Sequence, residues 1–229
     1  MRSPKIPPMI SLLVVEALTV LNGVVFDTRQ NCPYCGGPVT GYDMRQRQFA
    51  HLSRESGMQT ITVLVKRFRC RSCKKICNAD EPFYPGTRIG SPVIDLCIAF
   101  SAAIGYGRAA RNLTAMGVAV NRIQCRHFAR TPVGPVSSLE MYGFPVPQSI
   151  LSLSTLATGF PEGSRVKRAE ALAACGFPSA YRAVLHPAFP GENGDERDEQ
   201  ERDEKGDAKI PENGTQHERS GKHGDGNYP

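Results

Sequence analysis

The chain contains no tryptophan, and only 7% of its 229 residues are aromatic. So few large side chains argue against one extensive enzyme core, although a hydrophobic content of 40% is enough for one or two small domains. Long hydrophobic runs are also missing. The most apolar N-terminal stretch, residues 9–21, contains Glu16, is too short to span a bilayer, and is not followed by an A-x-A-like cleavage site. We therefore predict that residues 1–23 form an amphipathic helix that packs on the body of the protein or pairs two chains, rather than a signal peptide.

Acidic residues are absent from the middle of the chain, between Asp95 and Glu140. The charge is also unevenly divided, because residues 1–190 carry a net charge of +12 and residues 191–229 a net charge of −6. A basic body with an acidic tail suits a polyanionic partner for which the tail competes, although the tail could equally serve only to increase solubility. The tail has almost no apolar side chains, so we predict that it is disordered.

Eight cysteines occur, but their spacing does not suit a small secreted disulfide scaffold. Cys97, Cys125 and Cys175 each occur singly in an apolar or helical setting. This usage predicts a reducing, cytoplasmic location.

Four of the cysteines form two C-x-x-C pairs, and 34 residues separate Cys35 from Cys70. Each pair can place two thiolates on one small cation, and two pairs complete the tetrahedral sulfur site of structural zinc. Glycines follow the first pair and allow a tight turn. Lysines and arginines flank the second pair and would keep the thiolates deprotonated. The sequence therefore predicts a Zn²⁺ site whose ligands are Cys32, Cys35, Cys70 and Cys73.

Other interpretations of these cysteines remain open. The pairs could be two redox dithiols or two disulfides, although a redox C-x-x-C normally opens a helix in a βαβ unit and neither pair does. Cys77, four residues after Cys73, could replace one ligand, and His51 is a weaker substitute.

The region around the cysteines, residues 24–80, has the pattern of a zinc ribbon. Residues 58–69 alternate between the two faces of a strand and are rich in β-branched side chains. Residues 44–57 are polar and basic, and we interpret them as an excursion between the two cysteine pairs. The segment holds little apolar material, so zinc binding and folding should be one event. The predicted strands are residues 24–29, 38–43, 58–69 and 74–78.

A linker, residues 81–90, leads to a helical segment, residues 91–130. Ser91 is a good N-cap and Pro92 a good first helical residue. Apolar periodicity predicts three short helices, with Gly117-Val118 as a tight turn between the last two, which matches a helix-turn-helix. In this motif the turn glycine takes a positive φ and the following apolar residue enters the core.

The helical segment carries arginines without neighbouring acids, which suits binding to phosphates. In a helix-turn-helix the third helix enters the major groove with its first residues at base edges. We assign Asn121, Arg122 and Gln124 to base edges, because their side chains can form bidentate bonds to purines. The other arginines are assigned to phosphates, and Ile123 and Cys125 to the core. The predicted DNA-binding residues are Arg108, Arg111, Asn121, Arg122, Gln124, Arg126 and Arg130. The alternative is a plain three-helix unit with solvated arginines.

Residues 131–190 are rich in proline and serine. Short helices are predicted over residues 150–156 and 164–175. In the second of these, Ser164 is expected to be the cap, with Ala169, Leu172 and Ala173 facing inward. The expected fold class is thus α+β and multidomain: a zinc ribbon, a three-helix unit and a disordered tail.

The combination of a zinc ribbon and a helix-turn-helix resembles the N-terminal half of insertion-sequence transposases, especially archaeal ones. The resemblance covers about residues 24–130. It is carried by the four paired cysteines, the linker Phe83-Tyr84-Pro85-Gly86-Thr87-Arg88, the segment Arg108-Ala109-Ala110-Arg111-Asn112-Leu113, the turn Gly117-Val118, and Phe128.

The resemblance implies a zinc-binding protein that recognises double-stranded DNA. Such transposases continue into a ribonuclease-H-like domain with three carboxylates that hold two metal ions. After Arg130 this chain offers only Glu140, Glu162 and Glu170 before its charged tail, and no series of strands surrounds them. We therefore expect no catalytic domain and no small-molecule substrate.

Two other functions remain open: a transposase-related enzyme that acts with a partner chain, and a zinc-ribbon adaptor or transcription regulator. For the DNA-binding function we expect a cytoplasmic, nucleoid-associated protein without membrane contact. Residues 9–21 are the candidate homodimer interface.

Overall fold

The computed structural model describes residues 6–130, 132–159 and 166–177. These residues form an α+β fold with six helices, a mixed four-stranded sheet and a separate two-stranded sheet. The predicted tail, residues 191–229, and the predicted cap Ser164 lie outside the described residues. The strands are β1 (Val25–Phe26), β2 (Val39–Arg54), β3 (Gly57–Cys70), β4 (Ile76–Asn78), β5 (Ser138–Met141) and β6 (Phe144–Pro147). The helices are α1 (Pro8–Thr19), α2 (Ser91–Ile104), α3 (Tyr106–Ala115), α4 (Arg122–Phe128), α5 (Gln148–Gly159) and α6 (Arg168–Ala174).

A long antiparallel hairpin of β2 and β3 forms the centre of the larger sheet. Its register runs from the pair Val39–Cys70 at one end to Arg54–Gly57 at the turn. The other edge of β3 pairs with β1 in parallel and with β4 in antiparallel orientation. The prediction of an excursion over residues 44–57 is therefore wrong. Its first residues, 44–48, are polar because they are exposed or half-buried on both faces of β2, and a solvated antiparallel strand can carry polar side chains.

Helix α1 packs on the body of the protein, mainly against α5. Ile10, Val14 and Leu18 are fully buried on its inner face. Of the two roles predicted for this segment, packing on the body is the one observed. On the outer face, Met9 and Leu12 are exposed. The use of α1 as a homodimer interface stays a prediction.

Helix α2 is the central helix, and its residues from Ser91 to Leu96 are all buried. Ser91 was predicted to be its N-cap, and this prediction is wrong. The N-cap is Gly90, and the Ser91 hydroxyl instead donates to the carbonyl of Pro82 at 3.3 Å. A glycine is needed at position 90 because a Cβ there would lie 2.2 Å from the ring of Phe49. This close contact joins the start of α2 to β2.

Helices α2, α3 and α4 pack on one another, and the turn between α3 and α4 is attached to the sheet. Gly117 has a φ of 93° and Val118 is fully buried, as expected from the sequence. The amide of Ser53 donates to the carbonyl of Gly117, and the amide of Ala119 donates to the carbonyl of His51, both at 2.8 Å. Because β2 holds this turn, the position of α4 depends on the hairpin.

Residues 138–147 form a hairpin that was not predicted, since Pro145 and Pro147 within β6 argue against a strand. Helix α5 contains the predicted helix over residues 150–156. Helix α6 buries Ala171, and the Cys175 that follows it is also buried.

Ala169 and Ala173 are exposed, so the prediction that they face inward is wrong. The buried positions of α6 are four residues apart, which places the residues two positions before each of them on the opposite side.

Candidate metal centre and nucleic-acid interface

The structure brings the four predicted zinc ligands together at the end of the hairpin where β2 begins and β3 ends. All four Sγ atoms lie within 4.8 Å of one another. The Sγ atoms of Cys32 and Cys73 are 3.6 Å apart, and those of Cys35 and Cys70 are 3.5 Å apart. A tetrahedron with metal–sulfur bonds of about 2.3 Å has sulfur–sulfur edges of roughly 3.8 Å, so these side chains fit one metal ion. The thiols are free, and a disulfide would need a separation of about 2.05 Å.

Backbone amides within each cysteine pair point at its first sulfur. Burial alone would raise the pKa of Cys70, but the N–H groups of Cys73 and Ser72 donate to its sulfur and help to lower the pKa to about 6. The corresponding N–H groups of the first pair lower the pKa of Cys32 in the same way, also against burial. These two sulfurs are therefore prepared to be thiolates, the form that binds metals.

The last sulfur of the cluster behaves differently. The amide of Lys75 lowers the pKa of Cys73, but burial and the three neighbouring thiols raise it to about 12. Four thiolates cannot coexist at these distances unless a cation neutralises them. The arrangement thus favours a bound cation when all four sulfurs are deprotonated.

The two cysteine turns have the same backbone shape but different residues at one position. The residue after Cys35 is Gly36, with a φ of 70°, and the residue after Cys73 is Lys74, with a φ of 63°. The turns also approach each other closely at Gly37. A Cβ on Gly37 would lie 2.5 Å from the Ser72 hydroxyl oxygen and 3.0 Å from the Ser72 Cβ, so a larger residue there would require Ser72 to move.

The alternative ligands lie outside this cluster. Cys77 is buried on β4, and its pKa is raised chiefly by burial. The ring of His51 lies 3.1 Å from the Thr60 hydroxyl. His51 is also on the part of β2 that holds the α3–α4 turn, far from the cysteines. Among the described residues, the four cysteines are the one group of three or more His, Cys, Asp or Glu side chains arranged to hold a metal.

The structure also brings together several of the predicted DNA-binding arginines. Arg108, Arg111 and Arg122 line one open groove of about 990 Å³ between α3 and α4. Arg126 and Arg130 are exposed on α4 and just after it. Within the part of the chain that the structure describes, none of these five arginines forms an ion pair with a carboxylate. They are therefore free to meet anions from outside the protein.

Asn121 and Gln124 have a structural role that the sequence analysis missed. The Asn121 side-chain oxygen accepts from the backbone N–H of Gln124 at 2.8 Å, and the Gln124 side-chain oxygen accepts from the backbone N–H of Asn121 at 2.9 Å. This is a capping box at the start of α4, and the polar residues spaced three apart were the signal that could have revealed it. Since both oxygens are engaged, a bidentate bond to adenine would compete with the cap. Their assignment to base edges stays a prediction.

Ile123 was assigned to the core, and this prediction is wrong because its side chain is 79% exposed. Helix α4 instead buries Cys125 and Phe128, which are three residues apart and so share one face. Ile123 is on the opposite face, next to Arg122. It is the functional candidate that the sequence analysis missed, because an isoleucine in a short helix looks like a core residue.

None of the carboxylates considered for catalysis belongs to a metal-binding cluster in the described part of the chain. Glu140 is exposed on β5, and Glu162 lies outside the described residues. The helices within the described ranges are all too short or too polar to cross a membrane.

Comparison with known proteins does not extend this description. The chain matches no protein-family model, no curated protein and no solved structure.

Proposed function

We propose that this protein binds double-stranded DNA in a sequence-dependent manner and requires zinc to do so. The observation that supports this most is the set of five exposed arginines on α3, on α4 and just after α4, none of which is paired with a carboxylate in the described residues. They lie on the last two of three packed helices joined by a positive-φ glycine, the arrangement in which a recognition helix enters the major groove. Arginine supplies phosphate contacts that dominate DNA affinity.

Zinc is proposed as the metal of the four-cysteine cluster, because four thiolates in a closed tetrahedral arrangement are typical of structural zinc. The ion would hold together the end of the β2–β3 hairpin. The other end of the hairpin holds the α3–α4 turn through the backbone of His51 and Ser53. In this proposal, zinc acts on DNA binding indirectly, by keeping in place the strands on which α4 depends.

The outer face of α4 would read the DNA. Arg122 and Arg126 are one turn apart on this face, and an arginine can bind guanine through two hydrogen bonds. Ile123 lies between them in sequence and offers an apolar surface, which in the major groove suits the methyl group of thymine. Asn121 and Gln124 would shape the start of the helix and direct their side-chain nitrogens outward.

The resemblance to the recognition half of transposases supports DNA as the partner. Within this proposal the protein would be associated with the nucleoid. The proposal is tested against two alternative functions. One is an adaptor that binds another protein, and the other is an enzyme that acts with a partner chain.

The test is selection of binding sequences from a random duplex pool with purified zinc-loaded protein, followed by affinity measurements at several salt concentrations. Wild-type protein should enrich one motif, and its affinity should fall steeply with salt. Arg122→Ala should relax the motif at one or two positions, whereas Arg108→Ala should weaken binding to all sequences and reduce the salt slope by about 1. Lys167→Gln, which removes an exposed charge at α6, is the matched control and should change neither.

Two results would count against the proposal. The absence of salt-sensitive binding to any duplex would favour the adaptor. Strand transfer by purified protein on a linear duplex with Mg²⁺ would favour the enzyme.

A further inference from the structure

The end of the hairpin that holds the four cysteines is strongly cationic. Arg69, Arg71, Lys74 and Lys75 are exposed there, and none of them forms an ion pair in the described residues. The nearby carboxylate of β2, Asp43, is already paired with Arg67. We call the four unpaired cations, together with Tyr34, the knuckle surface.

The charge of the metal site does not account for the knuckle surface. Four thiolates and one Zn²⁺ carry a net charge of −2, so four cations leave the end of the hairpin positive. Tyr34 adds an exposed aromatic side chain to these cations. Its ring is 61% exposed, and the Lys75 ammonium lies 4.9 Å from the ring centre. Exposed tyrosines and cations together are the side chains that contact nucleic-acid phosphates.

The backbone of Lys74 gives an independent indication. Lys74 has a φ of 63°, at the position where the other cysteine turn has Gly36. A side chain in this left-handed region costs folding stability relative to glycine. Strained residues that persist in a structure are often functional. Within the knuckle the Lys74 ammonium makes one exposed hydrogen bond, to the Arg71 carbonyl at 2.7 Å, and it forms no ion pair in the described residues. The strain therefore points to a role for the lysine charge that glycine cannot supply.

The knuckle surface is also placed well away from α4. Val39 lies beside the cysteines, and Leu52, thirteen positions later on β2, pairs with Val118 at the turn before α4. At about 3.3 Å per residue the two ends of this strand are roughly 40 Å apart. One helical turn of DNA is about 34–36 Å long.

We propose that the knuckle surface is a second DNA-binding surface, which contacts the duplex backbone about one helical turn away from the segment read by α4. The surface contacts phosphates and does not read bases. This inference rests on the proposed function, because it requires that α4 contacts the same duplex.

The test compares Lys74→Gly and the triple variant Arg71→Ala/Lys74→Gly/Lys75→Ala with wild-type protein. Glycine relieves the strain and removes only an exposed hydrogen bond to the Arg71 carbonyl, so Lys74→Gly should keep or raise the melting temperature and the resistance of bound zinc to chelators. The same variant should bind the selected duplex several-fold more weakly, with a salt slope lower by about 0.9. A purely structural lysine would not give these opposite effects.

Hydroxyl-radical footprinting locates the contact. Wild-type protein should protect a second patch about 10 base pairs from the α4 site, and the triple variant should lose this patch while it keeps the selected motif. Lys167→Gln again serves as the control for the loss of one charge. Unchanged affinity, slope and footprint in the triple variant would overturn the inference while leaving the proposed function intact. A wild-type protein that binds no duplex would overturn both.

Discussion

Buried Asp95 on α2 makes the stability of the protein depend on pH. Its side chain is only 4% exposed. One carboxylate oxygen accepts from the Tyr84 hydroxyl and the other from the Ser149 hydroxyl, each at 2.6 Å. Burial raises the pKa of Asp95 to about 6 from an ordinary value of 3.8, although both hydrogen bonds act in the opposite direction. The carboxyl group is therefore harder to ionise in the folded protein than in the unfolded chain.

The direction and the size of the effect follow from this shift. Between pH 4 and pH 6 the folded protein binds more protons than the unfolded chain, so stability falls as the pH rises. A shift of about two pKa units corresponds to roughly 3 kcal/mol. About half of this, ~1.4 kcal/mol, is lost between pH 5 and pH 8. For a domain of this size, that loss lowers the melting temperature by about 3–6 °C.

The assay is thermal unfolding of wild-type protein and Asp95→Asn at matched pH values from 5 to 8 with excess zinc. The neutral amide cannot ionise, so the variant should gain ~1.4 kcal/mol relative to wild type across this range. Taking the difference removes the pH dependence of zinc binding, which both proteins share. Glu140→Gln, at an exposed position, should follow wild type. Parallel curves for Asp95→Asn and wild type would refute the reasoning.

Three further predictions concern packing, base reading and the metal. Gly90→Ala should destabilise the protein by about 1–3 kcal/mol, measured by denaturant unfolding, because its methyl group would overlap the Phe49 ring; Gly107→Ala, with its nearest neighbour 3.9 Å away, is the control. Replacing one thymine of the selected site by uracil should weaken binding about fourfold in a fluorescence-anisotropy titration, from the loss of one methyl contact. Ile123→Ala should bind the thymine and uracil duplexes equally well. If the variant still binds the uracil duplex more weakly, Ile123 is not the side chain that contacts the thymine methyl group. Cys70→Ser should reduce bound zinc per chain in elemental analysis, whereas Cys77→Ser should leave it unchanged. Loss of zinc in Cys77→Ser would show that Cys77 is a ligand and that the assignment of the four ligands is wrong.

The cluster of cysteines was predictable because paired thiols at C-x-x-C spacing have few chemical uses. The spacing alone indicated which sulfurs lie together, and the strands between the two pairs did not have to be known. The α3–α4 turn was predictable for a similar reason, since Gly117 followed by Val118 suits one backbone shape.

Elements whose surroundings decide their structure were not predictable. The polar half of β2 could be recognised as a strand only once β3 was known to pair with it. The proline-containing hairpin formed by β5 and β6 contradicts the usual preferences for strands.

Helix α4 shows the same limit at the level of single residues. Asn121 and Gln124 suit either a cap or a base contact, and sequence alone does not separate the two. Ile123 is apolar and so suits a core position. The buried face of α4 is instead formed by Cys125 and Phe128, and Ile123 lies on the exposed face. A helix of seven residues has too short a pattern to fix its buried face.

The most direct test of the central claim is the zinc content of purified protein, measured together with the number of thiols that react under native conditions. The account predicts one zinc per chain, with four thiols that become reactive when a chelator removes the metal and the fold is lost. A metal-free protein that is fully folded, with the two cysteine pairs freely reactive, would contradict it.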